Sequence, residues 1–240
     1  MTRISTAFGA MVAIAALWVC PAQAAANEVS TRAEEHGRSV EPGSPDETLE
    51  MAEPPAAPPT SEAATRVLDW VAASRDNGEL PYMVIDKNAG VLFLIDPEGE
   101  LLGQAPVLIG VATGDEASPG VGSKKLAEIG PAEKTTPAGR FLAKYGRAVG
   151  NKKVLWVDYA TSVALHAVVT GNKKERRLER LKSPSAEDNR ITFGCINVPT
   201  EFYQKTVRPA FEKTGGIVYV LPDTRPLEDV FPRVRVMPYL

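Results

Sequence analysis

The chain has 240 residues, of which 44% are hydrophobic and 24% charged, and its formal net charge is −3. That is material for one core of ordinary size or two small ones, and it excludes a collagen-like, disulfide-dense or wholly disordered chain. The bulk charge also excludes a strongly basic nucleic-acid binder.

In chain order, residues 1–24 read as a secretory signal: Arg3 is followed by a mostly apolar run from Ala7 to Val19, and Ala22-Gln23-Ala24 fits a small-x-small cleavage pattern. The run is too short to span a bilayer, and no later stretch is long and apolar enough for a membrane helix. Bulky Trp18 and Val19 before Cys20 argue against lipidation there. Residues 25–60 read as a disordered acidic linker rich in Pro and Ala, since large apolar side chains are too few to offset ordering entropy. Residues 25–65 hold two basic and nine acidic side chains, whereas 66–240 hold 24 basic and 21 acidic, so an acidic tether precedes a mildly basic body.

Residues 61–79 predict a helix packing on or leading into a domain, with Ser61 or Thr60 as cap, an apolar stripe of Val67, Leu68, Val71 and Ala72, and a stop at Asn77-Gly78. The domain itself is predicted over 80–222. Met83–Asp86 and Val91–Ile95 flank the hairpin signal Lys87-Asn88-Ala89-Gly90. Ala105–Ala112 predicts a third strand, and the glycine- and charge-rich stretch to Lys134 a loop. Strands follow after Thr136-Pro137-Ala138-Gly139-Arg140-Phe141, at Val154–Val157 and at Val163–Val168. Residues 172–182 are highly charged and read as helical. Ile191–Val198 is a short apolar segment containing Cys195, Pro199 opens a helix as its first residue, and Ile217–Leu221 is the last strand. Residues 223–240 predict an extended, Pro-rich tail. The pattern indicates a mostly β sandwich or barrel with a few short helices.

Signal cleavage removes Cys20, and His36 lies in the linker. One thiol and one imidazole then remain in the body, Cys195 and His166. A thiol becomes a strong nucleophile only as thiolate, and a neighbouring imidazole can take its proton. The bland alternative is a buried Cys and a satisfied core His. Gly194 allows a backbone conformation closed to other residues. The amides of Phe193, Gly194 and Cys195 could converge on one oxygen as an oxyanion hole, where a single donor is worth about 3 kcal/mol. The positive end of the helix after Pro199 would favour a thiolate if close.

Arg190-Ile191-Thr192-Phe193-Gly194-Cys195-Ile196-Asn197-Val198, with His166 upstream, resembles the signature of the L,D-transpeptidase catalytic domain, a His followed by Ser/Thr-His-Gly-Cys-hydrophobic-Asn/Arg. Thr136-Pro137-Ala138-Gly139-Arg140-Phe141 resembles the family's upstream segment, and Ile109-Gly110 with Ala112-Thr113-Gly114 its entry strands; the resemblance spans roughly 82–221. There are two departures: Phe193 stands where the family has a second His, and Ala167 where Gly or Ser follows the first. The gap between the His and Cys blocks is long, which suggests a charged lid inserted over the cleft.

The resemblance implies a fold, a reaction and roles. Cys195 is the nucleophile, His166 the base and the Ala167 carbonyl the group that orients its ring. Phe193, Gly194 and Cys195 give the oxyanion amides, and Arg190, Thr192 and Asn197 are the candidates to meet substrate, Asn197 being better read as holding the Cys loop by backbone hydrogen bonds. Arg140 and Lys153 are lesser candidates for stem carboxylates, better read as surface charge. The thiolate attacks the third-residue carbonyl of a peptidoglycan tetrapeptide stem, releases D-Ala and passes the acyl group to an amine, giving a 3→3 cross-link. Water as acceptor would make an L,D-carboxypeptidase, and a dead site would leave a wall-binding module. A papain-like hydrolase fits poorly, since its Cys precedes its His. No metal or other cofactor is implied, the partners are stem peptides rather than nucleic acid or membrane, and the location is the periplasm or cell wall.

Overall fold

The computed structural model describes residues 60–239. The predicted leader 1–24 and all but the last residue of the linker 25–60 lie outside the described residues.

Helix α1 (Glu62–Ser74) forms where predicted. Ser61 caps it, its Oγ accepting from the Ala64 amide at 3.0 Å and donating to Asp86 Oδ2 at 2.5 Å. The helix ends before 79 because Arg75 turns left-handed (φ 55°) and bonds back to the Val71 carbonyl.

Ten strands follow among the described residues: β1 (Tyr82–Asp86), β2 (Val91–Ile95), β3 (Leu101–Pro106), β4 (Ile109–Gly110), β5 (Gly139–Arg147), β6 (Lys153–Asp158), β7 (Val163–Ala167), β8 (Arg190–Thr192), β9 (Ile196–Val198) and β10 (Gly216–Val220). Eight of them form one sheet in the order β3-β2-β1-β10-β5-β6-β7-β9, and β4 pairs β8 in parallel. The single predicted strand 105–112 is thus two, because the chain leaves β2 at Pro106 and goes on to β8. Leu108, on that crossing, exchanges both backbone hydrogen bonds with Asn197 of β9 at 2.8 Å. This ties the chain leaving one end of the sheet to the strand at the other, so the predicted mostly β, barrel-like architecture is what forms.

β1, β2 and β10 are buried along their whole length because both faces are covered. Their alternate residues serve two cores. Met83, Ile85, Leu92, Leu94, Val218 and Val220 point inward with Leu155, Leu165 and Ile196. Tyr82, Val84, Phe93, Ile217 and Tyr219 point outward, under Val67, Trp70 and Val71 of α1. Each such side chain contributes about 1.5–3 kcal/mol by burial.

The C-terminal segment corrects the extended tail predicted for 223–240. It forms α5 (Leu227–Val230) and a 3₁₀ segment (Pro232–Tyr239). Leu227, Phe231 and Val234 recur at helical spacing and are buried in the outer core beside α1. The domain therefore extends past 80–222 on both sides. The charged stretch 172–182 forms a 3₁₀ turn (Lys173–Glu175) and one helical turn, α2 (Arg177–Arg180). Pro199 is extended (ψ 138°) and stands just outside the helix it was predicted to open. That helix runs through α3 (Thr200–Phe202), a π-helical turn (Tyr203–Val207) and α4 (Arg208–Phe211).

Candidate active site

β7 and β9 run parallel, with Leu165 opposite Ile196 and His166 opposite Asn197. Leu165 and Ile196 are fully buried in the inner core. The strand alternation then puts His166 and Asn197 on the other face. Cys195 immediately precedes β9, and its thiol lies against the start of β7, at the Ser162 carbonyl and the Ala164 amide, on the strand that carries His166.

In this resting arrangement the two are not hydrogen-bonded to each other. The thiol donates to the Ser162 carbonyl at 3.8 Å. Nδ1 of His166 donates to the Ala167 carbonyl at 2.8 Å, the orienting contact the resemblance implied. Nε2 accepts from Nδ2 of Asn197 at 3.3 Å. Burial pushes the Cys195 thiol up, with the Ala164 amide and the Arg177 charge opposing it. Burial pulls the imidazole down, the Ala167 carbonyl opposes, and the Arg177 and Lys152 charges lower it further. Both shifts act in the same sense, favouring the uncharged form of each group.

The Cys loop is held by two threonines. Thr192, 2% exposed, donates to the Cys195 carbonyl at 2.6 Å and accepts from the Gly194 amide at 3.1 Å. Thr136 donates to the Gly194 carbonyl at 2.8 Å and accepts from the Gly110 amide at 2.9 Å, joining β4 to the loop. Gly194 has φ 123°, and a Cβ there would stand 2.7 Å from the Thr135 carbonyl oxygen. Only glycine fits.

These contacts show where the expected site residues stand. The Thr192 hydroxyl is engaged within the loop, by the Cys195 carbonyl and the Gly194 amide. The Gly194 amide is spent on Thr192, which leaves Phe193 and Cys195 as the amides without a protein acceptor among the described residues. Asn197 is fully buried, between Arg177 and His166. Arg190 is ion-paired to Asp223 at 2.7 Å, Arg140 to Asp76 at 2.5 Å, and Lys153 to Glu212. The helix after Pro199 begins five extended residues beyond Cys195, roughly 16 Å along the strand, where its dipole has faded. Phe193 lies exposed at the rim, with the Lys134 ammonium 3.9 Å from its ring centre, a contact worth about 0.5–1 kcal/mol.

Three supporting residues were not foreseen. Thr136 lay in a segment noted only for its resemblance. Arg177 lay in a charge run that reads as solvated surface, yet it donates to Asn197 Oδ1 at 2.7 Å. Lys87, in the predicted hairpin turn, is 1% exposed and donates to Asp115 Oδ1 (2.8 Å), the Gly114 carbonyl (2.7 Å) and the Thr136 carbonyl (3.0 Å). Asp223 is 3.3 Å from the same ammonium. The chain Asp115–Lys87–Asp223–Arg190 is thus a buried, charge-balanced network reaching the start of β8. Burial would raise the Asp115 carboxyl, but bonds from Lys87, Thr224 and the Asp223 and Arg225 amides outweigh it and hold it well below the usual range.

An open groove of 430 Å³ is lined by Arg147, Val149, Trp156, Tyr159 and Ser162 among others; neither Cys195 nor His166 lines it, and Ser162, whose carbonyl accepts from the thiol, is its link to the site. Among the described residues no group of three His, Cys, Asp or Glu could hold a metal ion, and no helix is long and apolar enough to cross a membrane.

No family model matches the chain, and no curated protein matches it. Solved structures do. The catalytic domain of an L,D-transpeptidase from E. faecium is 14% identical, with 60% of this chain and 98% of that one covered and a TM-score of 0.37. An L,D-transpeptidase (residues 123–326) from Xylanimonas cellulosilytica is 14% identical over 60% and 62% of the two chains, with a TM-score of 0.36. The helical cell shape determining protein Pgp2 from Campylobacter jejuni is 12% identical over 65% and 55%, with a TM-score of 0.40.

Proposed function

We propose that the chain is an exported cysteine acyltransferase of the L,D-transpeptidase type, acting on peptidoglycan stem peptides. The observation that carries this reading is the β7–β9 pairing, which brings the Cys195 loop to the strand of His166, with the thiol at the Ser162 carbonyl and Nδ1 of the imidazole tied to the Ala167 carbonyl. The motif around Cys195 supports it, as does the glycine that the Cys loop requires.

In the proposed reaction the Cys195 thiol turns from the Ser162 carbonyl to Nε2 of His166, which takes its proton as the Asn197 amide gives way. The thiolate attacks the carbonyl of the third stem residue. The oxyanion forms against the free Phe193 and Cys195 amides. On collapse the D-Ala amine leaves with the proton from Nε2, and a thioester remains on Cys195. An amine of a second stem, its proton taken by His166, attacks the thioester and releases the thiol. Phe193 costs no amide donor, because the donor is backbone.

Incubating the purified chain with a disaccharide-tetrapeptide tests this reading. The expected products are free D-Ala and a 3→3 dimer, both lost in Cys195→Ala. Tripeptide without dimer would make water the acceptor, hence a carboxypeptidase. Unchanged tetrapeptide with wall binding intact would overturn the enzyme reading in favour of a binding module.

A further inference from the structure

Asn197 is fully buried, so its amide must be satisfied by the protein, and it has two side-chain neighbours. One is Arg177, a guanidinium with donors and no acceptor. The Asn197 atom 2.7 Å from Nη1 of Arg177 must therefore be the oxygen. The amide nitrogen then faces Nε2 of His166 at 3.3 Å and donates to it. Nε2 is bare, and the imidazole proton lies on Nδ1, where the Ala167 carbonyl accepts it at 2.8 Å. Donors and acceptors agree along the whole chain from Arg177 to Ala167. Glu175 holds the guanidinium from its far side, with Oε2 2.5 Å from Nε, and the Arg177 side chain is 13% exposed.

We propose that Arg177, carried by the charged insert, is a positioning residue that keeps the His166 ring in its base form by fixing which way round the Asn197 amide lies. The proposal rests on the reading of His166 as the group that takes the thiol proton. Without the guanidinium nothing forbids the Asn197 amide from turning over. Its oxygen would then face Nε2 while the Ala167 carbonyl still faces Nδ1. An imidazole between two acceptors is stabilised as the doubly protonated cation, which cannot take a proton from sulfur. The insert thus supplies a buried donor to the site.

Nitrogen NMR of His166 in the full chain tests this, with His36→Gln to leave one histidine signal. The parent is expected to show a protonated Nδ1 and a bare Nε2 at neutral pH. Arg177→Met is expected to move His166 toward the doubly protonated ring at the same pH and to slow Cys195 acylation by at least about tenfold. Arg177→Lys, which restores a donor-only group, is expected to recover the parent signals and most of the rate. A parent proton on Nε2, or an Arg177→Met signal and titration identical to the parent, would overturn the proposal. The NMR signature needs no turnover, so failure of the proposed reaction and failure of this relay read differently. If Arg177→Met does not fold, the parent tautomer and the Arg177→Lys variant still decide.

Discussion

Replacing Lys87 with methionine keeps the length of the side chain and removes only its charge and donors. In the folded chain that ammonium meets Asp115 Oδ1 at 2.8 Å, Asp223 Oδ1 at 3.3 Å and two backbone carbonyls. Lys87→Met would leave two carboxylates, each 1% exposed, with Arg190 still paired to Asp223 and with Asp115 held by the Thr224 hydroxyl and backbone amides but by no cation of the network. Removing one partner of a buried charge pair costs about 3–5 kcal/mol. For a domain of this size that is a fall in Tm of about 6–20 °C. The Thr136 carbonyl also loses its donor, so the loop that Thr136 pins at Gly194 loosens with it. Urea unfolding of the parent, Lys87→Met, Asp115→Asn and the double variant gives the coupling directly. Asp115 fixes the sign of the pH dependence. Its folded value lies below the ordinary one, so its contribution is full above about pH 4 and fades as pH falls toward the folded value. Lys87→Met should weaken that acid sensitivity. Stability within about 1 kcal/mol of the parent would refute the reasoning, since it would mean the charges are not desolvated as a set.

Trp70→Ala should cost about 3–5 kcal/mol in urea unfolding by opening the outer core against Tyr219 and Phe231, while leaving the pH profile of Cys195 alkylation unchanged. Gly194→Ala should destabilise by about 1–3 kcal/mol and slow Cys195 acylation by about 100-fold, because its Cβ pushes the Cys loop away from Thr135. Alkylation of Cys195 by iodoacetamide should rise with pH through a midpoint above the ordinary thiol value of about 8.5, since burial raises it.

Short apolar runs between turn signals made most of the fold legible. The runs Met83–Asp86 and Val91–Ile95 and the Gly90 turn suffice for the hairpin, because side-chain pattern and turn chemistry are local. The tail was not legible: Pro222, Pro226, Pro232 and Pro238 suggested extension, and burial of Leu227, Phe231 and Val234 depends on α1, at the far end of the domain in sequence. At the site, residue identity pointed to Cys195 and His166 because they are the only candidates for thiol chemistry in the body. Which polar groups are spent was invisible. Thr192 and Arg190 look available to substrate on paper, and only the tertiary contacts commit one to the Cys195 carbonyl and the other to Asp223. Arg177 and Lys87 mislead in the opposite direction, since an arginine in a charge run and a lysine in a turn are ordinarily solvated.

Intact mass spectrometry after exposure to a carbapenem, a β-lactam that acylates a thiolate held in such a site, tests the central claim most directly. One covalent adduct is expected on the parent chain, absent from Cys195→Ala and forming much more slowly on His166→Ala. An unmodified parent, or an adduct that persists when Cys195 is replaced, would contradict it.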